Sequence, residues 1–174
     1  MIEFTLPYAD EDDRAYGLAG MAISTASLDA LGRIAEVWLD SRGPMVTFAH
    51  DYYVASSPAM SPKTVWNHLM ENFQLTTSLV LGNVMARTLV RHGRPAGADV
   101  IETVRNLVRE EGRDYCSLEE EEADLVFDKL LNHSLQLFHN PRLHPAVREL
   151  AGVLMRRRRL SVFDLAEELQ LLRI

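Results

Sequence analysis

One long helix dominates the sequence pattern, between Ser61 and Gly93. Ser61 followed by Pro62 is a preferred helix opening, with a capping hydroxyl and then a proline at the first helical position. Gly93 is the expected stop, just after His92. After Leu75 the segment is apolar on nearly every side, which is typical of a helix surrounded by other elements. We therefore expect a helical bundle built around this segment.

The same segment contains the longest stretch without charge, from Asn72 to Ala86. This stretch includes Asn, Gln, Thr and Ser, and it is shorter than the about 20 apolar residues that span a membrane. The first residues lack the basic and apolar regions of a secretion signal. Cys116 is the single cysteine, which suits a reducing compartment. These features predict a soluble, cytoplasmic protein that does not enter a membrane.

A first helix is predicted after Asp10, which can cap it. Its apolar stripe extends from Tyr16 to Trp38, and Gly43 with Pro44 ends the pattern. The first half of the stripe consists mostly of small residues. Another helix is therefore expected to approach closely there.

Four further helices are predicted from capping patterns and helical periodicity. They extend from about Asp99, boxed with Glu102, to Glu111 before Gly112; from Ser117, boxed with Glu120, to His139; from Pro145 to Arg158; and from Ser161, boxed with Asp164, onward.

Residues 43–60 carry several prolines and no helical pattern. We predict a long ordered loop, or a single short strand around Val46 to Phe48. Loops of this length in compact domains are often functional, so this loop is a candidate functional segment. Residues 1–7 are expected to form a short extended arm. The predicted fold is therefore all-α, a single domain over residues 1–174 with a bundle of about six helices.

The charge balance of the 174 residues is acidic, with a formal net charge of −7. Proteins that bind nucleic acid without sequence preference use a basic surface, so this balance argues against that class. The 16 arginines and two lysines are unevenly distributed. Nine acids lie between Glu110 and Asp128, and four consecutive arginines begin at Arg156.

Helix-end electrostatics explains most of this segregation, because acids stabilise helix N-termini and cations stabilise C-termini. Glu119 to Glu122 fall in the first turn of a predicted helix, and the arginines close another. Two alternatives remain: the two charged runs could face each other, within one chain or across a dimer, or the arginines could bind an acidic partner or nucleic acid. The candidate interaction patch is Arg156, Arg157, Arg158 and Arg159.

No motif with a known chemical mechanism occurs in the sequence. The six histidines do not show the spacing that places two metal ligands on one helical face. A phosphate-binding glycine loop and a nucleophile elbow are both absent. The sequence therefore suggests no metal, no cofactor and no catalytic residue, and favours a protein that is not an enzyme.

A polar row on the long helix is the best candidate site. Its members share one side of the helix within about 100° and alternate with core residues. They are His68, Asn72, Thr76, Asn83 and Arg87. Buried polar groups need hydrogen-bond partners, so the row either lines a ligand pocket or dimer seam or forms an internal network that caps the backbone of the 43–60 loop. The internal network is favoured.

The function expected from these features is protein–protein interaction, with a homodimer or another protein as the partner. Long helices with apolar faces and complementary charged runs support this expectation. A small-ligand-binding protein or enzyme that uses the polar row is the first alternative. A nucleic-acid-associated regulator that uses the arginine run is the second.

Overall fold

The computed structural model describes residues 7–53 and 61–172, and these form a mostly helical fold, as expected. The helices are α1 (Glu11–Ser27), α2 (His50–Tyr53), α3 (Pro62–Met85), α4 (Ala98–Cys116), α5 (Glu120–Phe138), α6 (His144–Arg157) and α7 (Val162–Leu171). A 3₁₀ turn covers Leu31–Arg33, and a π-helical segment, Ala86–Arg91, continues α3. Within residues 7–53 and 61–172, no helix has both the length and the apolar character needed to cross a bilayer.

A small antiparallel sheet is the main departure from an all-α fold. Its strands are β1 (Ile34–Trp38), β2 (Val46–Phe48) and β3 (Arg159–Ser161), in the order β2-β1-β3. The prediction that the first helix continues to Trp38 was wrong. The chain leaves α1 through Asp29, whose φ is 55°, and the apolar residues that follow pair with two strands distant in sequence.

The prediction of a long loop over residues 43–60 was also wrong in part, because the segment contains β2 and the short helix α2. The alternative of a short strand at Val46–Phe48 is confirmed. Residues 54–60 lie outside the described residues, as do residues 1–6 of the predicted N-terminal arm.

Helix α3 is the centre of the fold, as predicted. The Ser61 hydroxyl accepts a hydrogen bond from the Thr64 amide, and every residue from Leu75 to Met85 is buried. The helix then widens into the π-helical segment, where the His92 amide donates to the Arg87 carbonyl. Gly93, with a φ of 65°, follows it.

Helices α1 and α3 cross at two glycines. A Cβ added at Gly20 would lie 2.1 Å from the Gly82 carbonyl oxygen, and one added at Gly82 would lie 2.5 Å from the Gly20 oxygen. No side chain fits at either position. The expectation of close helix approach along the small-residue stripe is therefore confirmed.

The predicted boundary between α4 and α5 was wrong by several residues. Gly112 is buried inside α4, where a Cβ would lie 3.1 Å from Phe73. It is therefore a packing glycine and does not end the helix. Ser117 has left-handed backbone geometry as the C-cap of α4, and α5 begins after Glu119, whose amide donates to the Glu122 carboxylate at 3.0 Å. The acidic run therefore lies at the N-terminus of α5, as expected, with a different cap.

The beginning of α4 also differs from its prediction. The cap is Gly97, and no side-chain capping hydrogen bond forms there, so Asp99 and Glu102 do not make the expected box.

Helices α4 and α5 are joined by ion pairs. Arg109 makes hydrogen bonds of 2.8 and 2.7 Å to the two carboxylate oxygens of Asp124, and Arg105 also contacts that carboxylate at 3.2 Å.

Candidate functional site

The polar row on α3 divides into two groups at opposite ends of the buried part of the helix. Asn83 and Arg87 face the start of α1, and His68 and Asn72 face α2. Thr76 donates to backbone carbonyls of its own helix. Thr76 and Asn83 are separated by about 10 Å along the axis at 1.5 Å per residue. The five side chains therefore do not line one pocket.

Arg87 forms the centre of the group at the start of α1. Its guanidinium makes hydrogen bonds of 2.6 and 3.0 Å to Asp13, which is almost fully buried, and it lies 4.6 Å from the Tyr8 ring. Asn83 donates to the Tyr8 hydroxyl at 2.9 Å. Arg91 lies 3.2 Å from the second Asp13 oxygen.

Asp13 is held as a carboxylate by this arrangement. Burial raises its pKa, but the hydrogen bonds from Arg87 and from the Ala9 amide, together with the charges of Arg87 and Arg91, outweigh burial and keep the pKa below its usual value. A cavity of about 220 Å³ lies beside this group. Because its charged groups are already paired with one another, the group explains how α1 is attached to α3 and does not suggest a ligand.

The second group holds α2 against α3. His68 Nε2 donates to the Tyr52 carbonyl at 3.1 Å, and Asn72 Nδ2 donates to the same carbonyl at 2.8 Å. Arg33 lies 3.5 Å from His68 Nδ1 and 3.0 Å from the Glu71 carboxylate. These contacts form the internal network expected to cap the backbone of the 43–60 region.

A cleft with aromatic walls lies beside this network, between α2, α3 and the end of α4. Its volume is about 310 Å³. We call it the tyrosine cleft. It is lined by Tyr52, Tyr53, Leu69, Asn72, Phe73, Thr76, Glu111, Tyr115 and Cys116.

The aromatic wall of the tyrosine cleft is held in place by stacking. Tyr52 stacks on Phe48 of β2 with ring centroids 3.9 Å apart, and Tyr53 meets Tyr52 edge to face at 5.2 Å. Tyr53 and Tyr115 nevertheless remain 54% and 57% exposed. Large exposed aromatic side chains are typical of binding surfaces, and Tyr53 is in addition held by its ring contact with Tyr52.

One polar atom of the cleft has an unused hydrogen-bonding capacity. Asn72 Oδ1 is buried and has no hydrogen-bond partner within residues 7–53 and 61–172. An unpaired buried acceptor costs about 1–3 kcal/mol, so a donor from a bound molecule would be favourable there.

The thiol and the buried hydroxyl of the cleft are not activated as nucleophiles. Burial raises the pKa of the Cys116 thiol, and the Glu111 charge adds to this effect. The thiol therefore stays protonated at neutral pH, and it lies 3.7 Å from the Leu69 carbonyl, a weak contact. Burial also raises the pKa of the Tyr52 hydroxyl, which stays protonated. These groups favour binding over nucleophilic chemistry.

The four arginines of the candidate patch all have acidic partners within the chain. Arg156 contacts Glu149, Arg157 contacts Asp164 and Glu168, Arg158 contacts Glu11 and Asp40, and Arg159 contacts Glu36. The acidic run at Glu119 to Glu122 is not among these partners. A phosphate group would therefore have to compete with carboxylates already in place.

In the described ranges, no three His, Cys, Asp or Glu side chains are arranged to hold a metal ion. Searches of protein-family models, curated proteins and solved structures found no match to this chain.

Sequence reasoning identified Asn72 and Thr76 of the tyrosine cleft but missed its aromatic wall. The signals were the paired tyrosines at 52 and 53 and the adjacent Tyr115 and Cys116. Neither pair is a recognised motif. The two pairs meet in the cleft only because β2 holds α2 against α3, and neither pair alone could predict this packing.

Proposed function

We propose that this protein is a non-enzymatic interaction protein that binds a segment of another protein through the tyrosine cleft. The main observation behind this proposal is the combination of the exposed Tyr53 and Tyr115 beside the stacked Tyr52 with the unpaired acceptor of Asn72. Protein interfaces concentrate their binding energy in a few large side chains that fill pockets. The cleft accepts one such apolar side chain, and a shift of the Asn72 side chain brings its buried, unpaired Oδ1 within reach of an N–H group of the segment.

The volume of the cleft supports a side chain as its occupant. At about 310 Å³ it is near the lower end of the roughly 300–1,000 Å³ range for small-molecule pockets. It therefore suits a single large group, such as an indole or phenyl ring, and not an extended cofactor.

Charge supports a basic partner over a second copy of this chain. Glu111 lines the cleft, and Asp51 precedes the Tyr52 wall. Each chain carries a net charge of −7, so two copies repel at long range while a basic segment is attracted. The unpaired cysteine at position 116 is compatible with action in the cytoplasm, which is part of this proposal.

Selection from a displayed library of random peptides tests this function. We expect enrichment of sequences with a large apolar residue, and we expect Tyr115→Ser to weaken the binding of a selected peptide about tenfold. Phe163→Ser is the matched control, because Phe163 is also exposed but lies on α7. A lack of enrichment, or loss of binding in the Phe163 variant alone, would overturn the proposal.

Homodimerisation stays a prediction. Native mass spectrometry measures it directly and also reports any small molecule that remains bound. A monomer at high micromolar concentration would contradict the dimer. A bound mass lost on denaturation, and lost in Asn72→Leu, would instead favour the small-ligand alternative.

A further inference from the structure

A second cleft shares Asn72 with the tyrosine cleft. It has a volume of about 470 Å³ between the end of α1, the 3₁₀ turn, α2 and α3. Among its lining residues are three acids, Asp29, Asp51 and Glu71, and one cation, Arg33. We call it the acidic cleft. Because Asn72 lines both clefts, a bound segment that crosses Asn72 contacts the tyrosine wall and the acidic wall together.

The charge of the acidic cleft is not balanced within the protein. Arg33 is already engaged by Glu71 at 3.0 Å. Asp29 and Asp51 have no ion pair among the residues that the structure describes. The lining acids therefore leave an excess of negative charge facing an open cavity.

The end of α1 adds to this negative potential. Leu28, the C-cap of α1, and Asp29 both line the acidic cleft, and the last turn of α1 contains no basic residue. The C-terminus of a helix carries partial negative charge and favours a cation. The backbone of Asp29 is left-handed, with a φ of 55°, and its amide donates to the Ala26 carbonyl at 3.0 Å, so this carboxylate extends from a hydrogen-bonded turn.

We infer that the acidic cleft binds an arginine or lysine side chain of the same partner segment whose apolar side chain fills the tyrosine cleft. This inference rests on the proposed function. The recognised unit is then a large apolar residue close in sequence to a basic residue. The Asn72 side chain lines both clefts, and on binding it shifts so that its unpaired Oδ1 accepts a hydrogen bond from an N–H group of the segment.

Binding of blocked peptides to the full chain, measured by calorimetry, tests the inference. The probes are acetylated, amidated Gly-Trp-Arg-Gly and Gly-Trp-Gly-Arg-Gly, each paired with a version in which citrulline replaces arginine. Citrulline is nearly the same size as arginine but has an uncharged urea in place of the guanidinium, so it removes the charge and two of the five N–H donors. We expect at least one arginine peptide to bind about tenfold more tightly than its citrulline partner, and the difference to shrink in high salt.

The protein variant Asp29→Asn with Asp51→Asn should reduce this preference to less than about twofold. Asparagine tolerates the left-handed backbone at position 29. Glu149→Gln with Glu167→Gln removes the same number of charges from exposed positions on α6 and α7, and it should retain the preference.

Three results would overturn the inference. Equal binding of arginine and citrulline peptides overturns the acidic cleft and leaves the tyrosine cleft in place. A preference that survives in the Asp29 and Asp51 variant places the cation elsewhere and also overturns the inference. Failure of all four peptides to bind overturns both the inference and the proposed function.

Discussion

The side-chain amide of Asn72 donates a 2.8 Å hydrogen bond to the Tyr52 carbonyl and so joins the central helix to α2. The same residue lines both the tyrosine cleft and the acidic cleft. The Nδ2 atom of this amide therefore fixes the wall, while its Oδ1 atom is buried without a hydrogen-bond partner among the described residues. Asn72 therefore contributes both to the packing of α2 on α3 and to the proposed binding site.

Asn72→Asp should lower the free energy of unfolding by about 2 kcal/mol, because it keeps the unpaired oxygen and replaces the amide that donates to the Tyr52 carbonyl with a second acceptor. His68 retains the other hydrogen bond to that carbonyl, which limits the loss. Urea unfolding measures the change. Asn67→Asp is the control, since Asn67 is exposed on the same helix. Equal stability of the two variants would show that the Asn72 contact contributes nothing.

The polar row illustrates what the sequence could predict about the site. Helical periodicity correctly placed His68 and Asn72 on the side of α3 that faces the 43–60 region. Periodicity could not show that Asn83 and Arg87 face α1, because a helical wheel ignores position along the axis. The aromatic wall depends on Tyr115, at the end of a helix whose length was underestimated at Gly112.

The sheet shows the corresponding limit for the fold. Ile34 and Val37 fit a helical stripe that begins in α1, so their spacing alone predicted a longer helix. Their strand is stabilised by partners near positions 47 and 160, and such distant pairing leaves no local signal. The presence of helices was predictable from capping and periodicity, whereas the strand conformation of Ile34–Trp38 depends on tertiary pairing.

Gly20→Ala should destabilise the protein by about 3 kcal/mol, because the new methyl group would overlap the Gly82 carbonyl oxygen at the crossing of two helices. Gly32→Ala is the control, with no atom within 4 Å of the added carbon. Thermal unfolding of both variants gives the comparison. A Gly20 variant as stable as the Gly32 variant would mean that the helices do not cross at this distance.

Asp13→Asn should cost about 3 kcal/mol in the free energy of unfolding. It removes the negative partner of Arg87 in a pair whose side chains are only 2% and 13% exposed, and an unpaired buried charge is expensive. Asp12→Asn is a closely matched control, because Asp12 is 53% exposed and pairs with Arg91 at the surface. The control should change stability by less than about 1 kcal/mol. Similar losses in the two variants would contradict the buried pair.

Acid should destabilise the protein between about pH 4 and pH 2. Hydrogen bonds from the Ser161 hydroxyl and amide, and from Arg157, lower the pKa of Asp164 from 3.8 to about 2. Because the folded-state pKa lies below the unfolded value, the stabilisation is fully present above the unfolded pKa. It disappears as the pH falls through the folded pKa.

Denaturant unfolding at several acidic pH values measures this loss. Asp164→Asn removes the titrating group and should make stability depend less steeply on pH across this window. An unchanged slope in that variant would show that Asp164 does not contribute to the acid sensitivity.

Amide NMR titration of the labelled full chain with acetylated, amidated Gly-Trp-Arg-Gly shows where a basic, aromatic segment binds. Saturable shifts are expected at 51–53, 69–76 and 111–116, around the tyrosine cleft, and at 28–33, around the acidic cleft. The shifts should be strongly reduced in Tyr115→Ser. Saturable shifts confined to α6 and α7, or no shifts with this peptide, would contradict binding at the two clefts.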